Sequence, residues 1–244
     1  MPSALLDRRN LRRLLEIAAV LGLWFFGQAI VLDAAAAVHL PLPEMPLVKH
    51  AYLLFSFVLL VCLYVYLRGE SFADFGLKMP ERVWLQIGRG FLVFAATLIF
   101  DTVGRPFLDA FVAGLTHTSP TLAEQHFASL KGNFGLFLTL FPVAWIFGGF
   151  GEEFLFRGFL LTRIAQVLGE GRWAWGLAVV LQAIPFGLGH GYQGPVGMAG
   201  IFVVALIDGT AAIIWGRNLW PVIIGHGLLD TFAFFAMYAG IAHA

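Results

Sequence analysis

The sequence has little charge, one cysteine and no surplus of either sign. Only 12% of its 244 residues are charged, against about 25% in soluble domains, while 59% are hydrophobic. With 15 Lys and Arg balancing 15 Asp and Glu, no positive field is available to hold nucleic acid, and a nucleic-acid partner is excluded. A single cysteine, Cys62, allows neither an internal disulfide nor a thiolate metal cluster and reads as a small core hydrophobe. No stretch alternates in polarity as a barrel strand does, and no internal repeat, low-complexity tract or soluble domain is found.

What is present is apolar sequence in runs of bilayer length, and a mean hydropathy of +0.83 makes lipid the solvent for most of the chain. The sequence predicts an all-α fold, a polytopic transmembrane bundle of about seven membrane-spanning helices. The spans fall near 14–38, 48–67, 83–103, 134–166, 173–192, 196–215 and 219–239. Residues 1–133 are expected to hold the N-terminal helices and a loop, and residues 134–244 a catalytic core. Arg8, Arg9, Arg12 and Arg13 precede the first span as they would in a signal peptide. That span is long and carries Asp33, which suits a retained helix. Lys and Arg recur in alternate loops (Arg68, Lys78 and Arg82, then Arg163 and Arg172, then Arg217), which predicts a cytoplasmic N-terminus in a multi-pass protein of the cell membrane. The stretch 104–133, with Pro106 and Pro120, reads as a connecting loop or a substrate-gating lid.

Ionisable side chains inside spans are costly and therefore candidates for function. The fourth span contains Gly148-Gly149-Phe150-Gly151-Glu152-Glu153, followed by Arg157. Glu153 and Arg157 stand at i and i+4 with the acid first, the favourable order for an ion pair. Adjacent Glu152 points about 100° away on the helix and remains free to act as a base on water. The plainer alternative is a charge cluster that only stabilises the helix. The glycines before the glutamates would admit close approach of another helix or a substrate backbone. In the fifth span Phe186 and His190 share a face, placing a ring under the imidazole, although a histidine at a span end also reads as interfacial. In the seventh span His226 and Asp230 stand one turn apart inside apolar sequence, where either alone would be expensive. Counting residues from the arginine-rich side puts Glu152 and His190 about 25 Å deep, Asp230 about 20 Å and His226 about 14 Å. Asp208 reads as a cavity-lining residue or a partner of Arg157, and Asp101 with Arg105 as an interfacial ion pair.

Glu152-Glu153-x-x-x-Arg157, Phe186-x-x-x-His190 and Asn218-Leu219-Trp220 leading to His226-x-x-x-Asp230 together resemble the CPBP family, which comprises CAAX prenyl endopeptidases, bacteriocin-processing enzymes and Abi proteins. Phe75-Gly76-Leu77 before a span is similar to a common family feature. The resemblance implies intramembrane proteolysis of a membrane peptide or protein, such as a prenylated C-terminus or a leader peptide. Glu152 and His190 would activate water while His226 and residue 230 stabilise the oxyanion. Position 230 is usually Asn in the prenyl endopeptidases. Asp230, if ionised, cannot donate a hydrogen bond, and its open roles are to hold a protonated His226, to stay neutral and donate, or to ligate a metal. No cofactor is firmly implied. Glu152, His190 and His226 form a possible zinc set, but no His-Glu-x-x-His segment accompanies them and the metal-free reading is preferred. Two other functions compete: a non-enzymatic membrane immunity or scaffold protein of the same fold, and a proton-coupled transporter.

Overall fold

The computed structural model describes residues 7–37, 46–80, 82–118 and 127–241, and its regular elements there are all helical. The long helices are α1 (Arg8–Ala37), α2 (Pro46–Leu67), α3 (Val83–Thr116), α4 (Phe134–Val167), α5 (Arg172–Gly189), α6 (Gly194–Ile214) and α7 (Trp220–Ala239). Short 3-10 turns lie at Phe72–Phe75, Ala128–Leu130 and Gly191–Gln193.

Helices therefore occupy the seven expected places, but fewer qualify as spans by length and composition. Among the described residues these are α3, α4, α6 with its preceding turn (Gly191–Ile214), and α7. α5 has only 18 residues and includes Arg172 and the buried Gln182. The expected first two spans fall partly outside the described side chains, and the described apolar part of α2 is Leu53–Leu67.

Local chemistry sets the ends of several helices. Asn133 Oδ1 accepts from the Leu136 amide at the start of α4, and Asn218 Oδ1 accepts from the Trp220 amide at the start of α7. Gly240, at φ 68°, ends α7 in the left-handed conformation.

The expectation of a loop from 104 to 133 is corrected in its first half, since α3 continues as helix to Thr116. A π-turn at Phe100–Gly104 shifts the hydrogen-bond ladder just before Pro106, so the missing proline amide interrupts no regular α-turn. The remainder of that segment, 119–126, lies outside the described residues, as does any lid it would form. Asp101 and Arg105 do pair, at 3.3 Å, and Arg105 also holds Asp109 at 3.1 Å.

α4 departs most from regular geometry. After Pro142 it runs as π-helix through Val143–Glu152 and again through Phe154–Leu160. Such underwound segments concentrate at functional sites because they re-aim side chains. α7 packs along both α3 and α4. At the first crossing, a Cβ on Gly225 would stand 2.6 Å from Val93 Cβ, and one on Gly90 would stand 2.5 Å from an Ile224 side-chain carbon. At the second, a Cβ on Gly149 would lie 2.9 Å from the Ile223 carbonyl oxygen. Small residues thus let the backbones approach where lipid supplies no hydrophobic drive for association.

Candidate active site

The fully buried layer lies between α4 and α6. Arg157 Nη1 stands 3.0 Å from Glu153 Oε1 and Nη2 stands 3.3 Å from Asp208 Oδ2, with both Glu153 and Arg157 side chains 0% exposed. The guanidinium also lies 4.2 Å above the centre of the Phe186 ring, a cation–π contact from α5. The clamp expected from the i, i+4 spacing is present, and Asp208 completes it from a third helix. Removing any one charge would leave another uncompensated in a low-dielectric interior.

His226 sits on this layer. Its Nδ1–H donates to Glu153 Oε1 at 2.7 Å, so one oxygen of Glu153 serves both Arg157 and the imidazole. With Nδ1 committed, Nε2 faces Asp230 Oδ2 at 3.6 Å and Glu152 Oε2 at 3.9 Å. The short bond to the ring comes from Glu153, a contact across helices that one-turn spacing within α7 does not reveal. Exposure separates the three carboxylates: the side chain of Glu153 is sealed, that of Glu152 is 11% exposed and that of Asp230 is 31% exposed. Access therefore reaches Nε2 from the side of Glu152 and Asp230.

Glycine makes room for this arrangement. A Cβ on Gly148 would stand 2.5 Å from Asp230 Oδ2 and 3.5 Å from His226 Nε2. At the next residue after His226, a Cβ on Gly227 would stand 2.8 Å from the Trp145 ring. The close approach expected of the glycine run is thus made by α7 itself.

His190 is half-buried at the end of α5, where its Nδ1–H donates to the Phe186 carbonyl at 2.9 Å. The Phe186 ring lies 5.0 Å from the imidazole, as the shared face predicts, and 6.4 Å from that of His226. Beneath it, Phe156 stands edge-on at 4.9 Å and Trp24 stacks at 6.4 Å. Trp24 Nε1–H donates to the Pro185 carbonyl at 3.0 Å, so α1 supports the helix end that carries His190. The sequence offers no local signal for Trp24, whose partners Phe156, Pro185 and Phe186 lie on other helices.

Two sequence features far from this cluster meet behind it. The Leu219 amide donates to the Gly76 carbonyl at 3.1 Å, and Trp220 Nε1–H donates to the Lys78 carbonyl at 2.6 Å. Gly76 has φ 90°, and a Cβ there would stand 2.7 Å from the Arg217 carbonyl oxygen. Phe75-Gly76-Leu77 therefore serves as the dock for Asn218-Leu219-Trp220 and sets the entry of α7.

The residues fit a metal poorly. Glu153, Asp208 and His226 do present ligand atoms within 4.8 Å of one another. Arg157 already bridges the two carboxylates, and a divalent cation there would meet a fixed guanidinium. The sequence-derived set of Glu152, His190 and His226 is not among the described groups gathered within that distance.

The fold and cluster define a class, an integral helical membrane protein with carboxylates and histidines assembled among its apolar helices. Within it, residues 134–232 match the family described as type II CAAX prenyl endopeptidase, Rce1-like. No curated protein and no solved structure gives a match.

Proposed function

We propose that the protein is an intramembrane endopeptidase that hydrolyses a peptide bond in a membrane-associated substrate, with a prenylated C-terminus as the first candidate and leader peptides as a second. The observation that carries the reading is the division of labour around His226. A sealed Glu153 fixes one ring nitrogen, while the accessible Glu152 and Asp230 flank the other. An imidazole held in this way among apolar helices is preorganised to meet charge as it develops.

In the proposed reaction, Glu152 takes a proton from water as the oxygen attacks the peptide carbonyl, and His190 orients that water. The carbonyl becomes an oxyanion that accepts from the doubly protonated His226 through Nε2–H, with Asp230 steadying the ring. Collapse of the tetrahedral intermediate breaks the C–N bond, and Glu152 returns its proton to the leaving amine. Glu153, Arg157 and Asp208 touch no substrate and hold His226 in place. The chemistry runs without a metal, in keeping with the guanidinium between the two buried carboxylates.

All seven long helices cross the membrane in this reading, with the N-terminus and the loops bearing Lys78 and Arg217 cytoplasmic. The test is purified protein in bilayer discs given a farnesylated peptide, with products read by mass spectrometry. Appearance of a new C-terminus that depends on Glu152 supports the proposal. An intact peptide, together with intact leader-peptide and transmembrane-peptide controls, would rule it out.

A further inference from the structure

An apolar groove of about 440 Å³ opens between α3 and α6, away from the polar cluster. Leu92 and Ala96 form one wall, and Val203, Ile207 and Ile214 form the other. None of the candidate active-site residues lines it.

The polar groups of this groove are arranged by depth. At one end Arg89 lies 5.6 Å over the ring of Trp215, which closes the groove. Its only polar side-chain partner among the described residues is Gln86, at 3.5 Å, and no carboxylate pairs with it. A guanidinium in a membrane wall is costly without an anion. Five residues along α6, about 7.5 Å deeper, stands Thr210. Five other helical threonines, Thr97, Thr102, Thr116, Thr139 and Thr231, turn their hydroxyls back to the preceding turn at 2.7–3.2 Å, whereas Thr162 is buried away from the groove. Thr210 makes no hydrogen bond to any described residue and is exposed in the groove wall. Beyond it the lining is apolar to Val203, about 10 Å further.

We propose that this groove binds one anionic glycerophospholipid from the leaflet on the Arg89 side. The phosphate pairs with Arg89 at the level of Trp215, an ester carbonyl accepts from the Thr210 hydroxyl, and one acyl chain lies between α3 and α6. An anion, an acceptor below it and a hydrocarbon chain below that match the groove in order and spacing. A zwitterionic lipid supplies the same chain but carries its own cation beside the phosphate, which weakens the pairing with Arg89. The site stands independently of the protease reading, since it uses none of the same residues.

The test is native mass spectrometry of the full chain after delipidation, titrated with phosphatidylglycerol or phosphatidylcholine of matched chains. A single phosphatidylglycerol adduct is expected, favoured about tenfold, the worth of one charge-assisted hydrogen bond. Arg89→Gln should bring it down to the phosphatidylcholine level, Arg89→Lys should retain much of the preference, and Ala96→Phe should abolish both adducts by filling the groove. Equal binding of the two lipids, or an undiminished adduct in Ala96→Phe, would overturn the assignment. So would displacement of the lipid by an equimolar farnesylated peptide, which would give the groove to an isoprenoid. If Arg89→Gln does not fold, the wild-type preference and Ala96→Phe still decide the matter.

Discussion

At the scale of single residues, the most informative contrast is between two adjacent glutamates. Glu153 is sealed and its Oε1 meets both Arg157 and His226, whereas Glu152 retains access and approaches His226 only to 3.9 Å. We expect Glu152→Gln to lower turnover by a factor of at least about 100 without changing thermal stability, since the amide preserves shape and removes the base. Peptide cleavage and a melting curve in detergent check this, and a variant with wild-type turnover would reassign the base. Glu153→Ala and Arg157→Ala should each destabilise by about 3–5 kcal/mol, because each strands a buried charge. The double variant should be no worse than either single one, as a double-mutant cycle would reveal. Additive losses would mean that Asp208 alone satisfies Arg157.

Elements show how much of this was legible in advance. Relations one turn apart within a helix were: Glu153 with Arg157, Phe186 with His190, and His226 beside Asp230 all follow from i, i+4 spacing. Relations between helices were not. That Glu153 rather than Asp230 makes the short bond to His226, that Trp24 supports Pro185, and that Arg157 reaches Asp208 depend on how α1, α4, α6 and α7 cross. The second half of α3 was hidden because Pro106 reads as a helix stop, and the π-turn that accommodates it has no sequence signature of its own. The glycine run was legible as a place of close approach, and the crossing with α7 gives it a test. Gly148→Ala would push a methyl group against Asp230, and either α7 or the carboxylate must move. We expect at least about a tenfold loss in kcat with about 1–3 kcal/mol of destabilisation. Gly22→Ala, where a Cβ meets nothing within 4 Å, is the matched control and should be neutral in both assays.

For the whole molecule, two expectations concern chemistry and placement. Activity should survive a strong chelator, because a guanidinium already spans Glu153 and Asp208. Loss on chelation, restored by zinc, would refute the metal-free mechanism. With the N-terminus cytoplasmic, a membrane-impermeant amine reagent should modify Lys131 in right-side-out vesicles and Lys78 only in inverted ones, as peptide mapping would show. The reverse pattern would invert the topology.

The bond between Trp220 and the Lys78 carbonyl joins positions 142 residues apart, and it has a consequence in time. At ordinary elongation rates the ribosome needs on the order of ten seconds to travel that distance. Throughout that interval α1 and α2 exist without the strut that fixes the entry of α7, and the partners of the Glu153–His226 bond have not both been made. The site is therefore completed only once α7 has been made. A nascent chain arrested before Asn218 lacks His226 and Asp230, so the polar cluster cannot assemble in it, whatever it has already inserted.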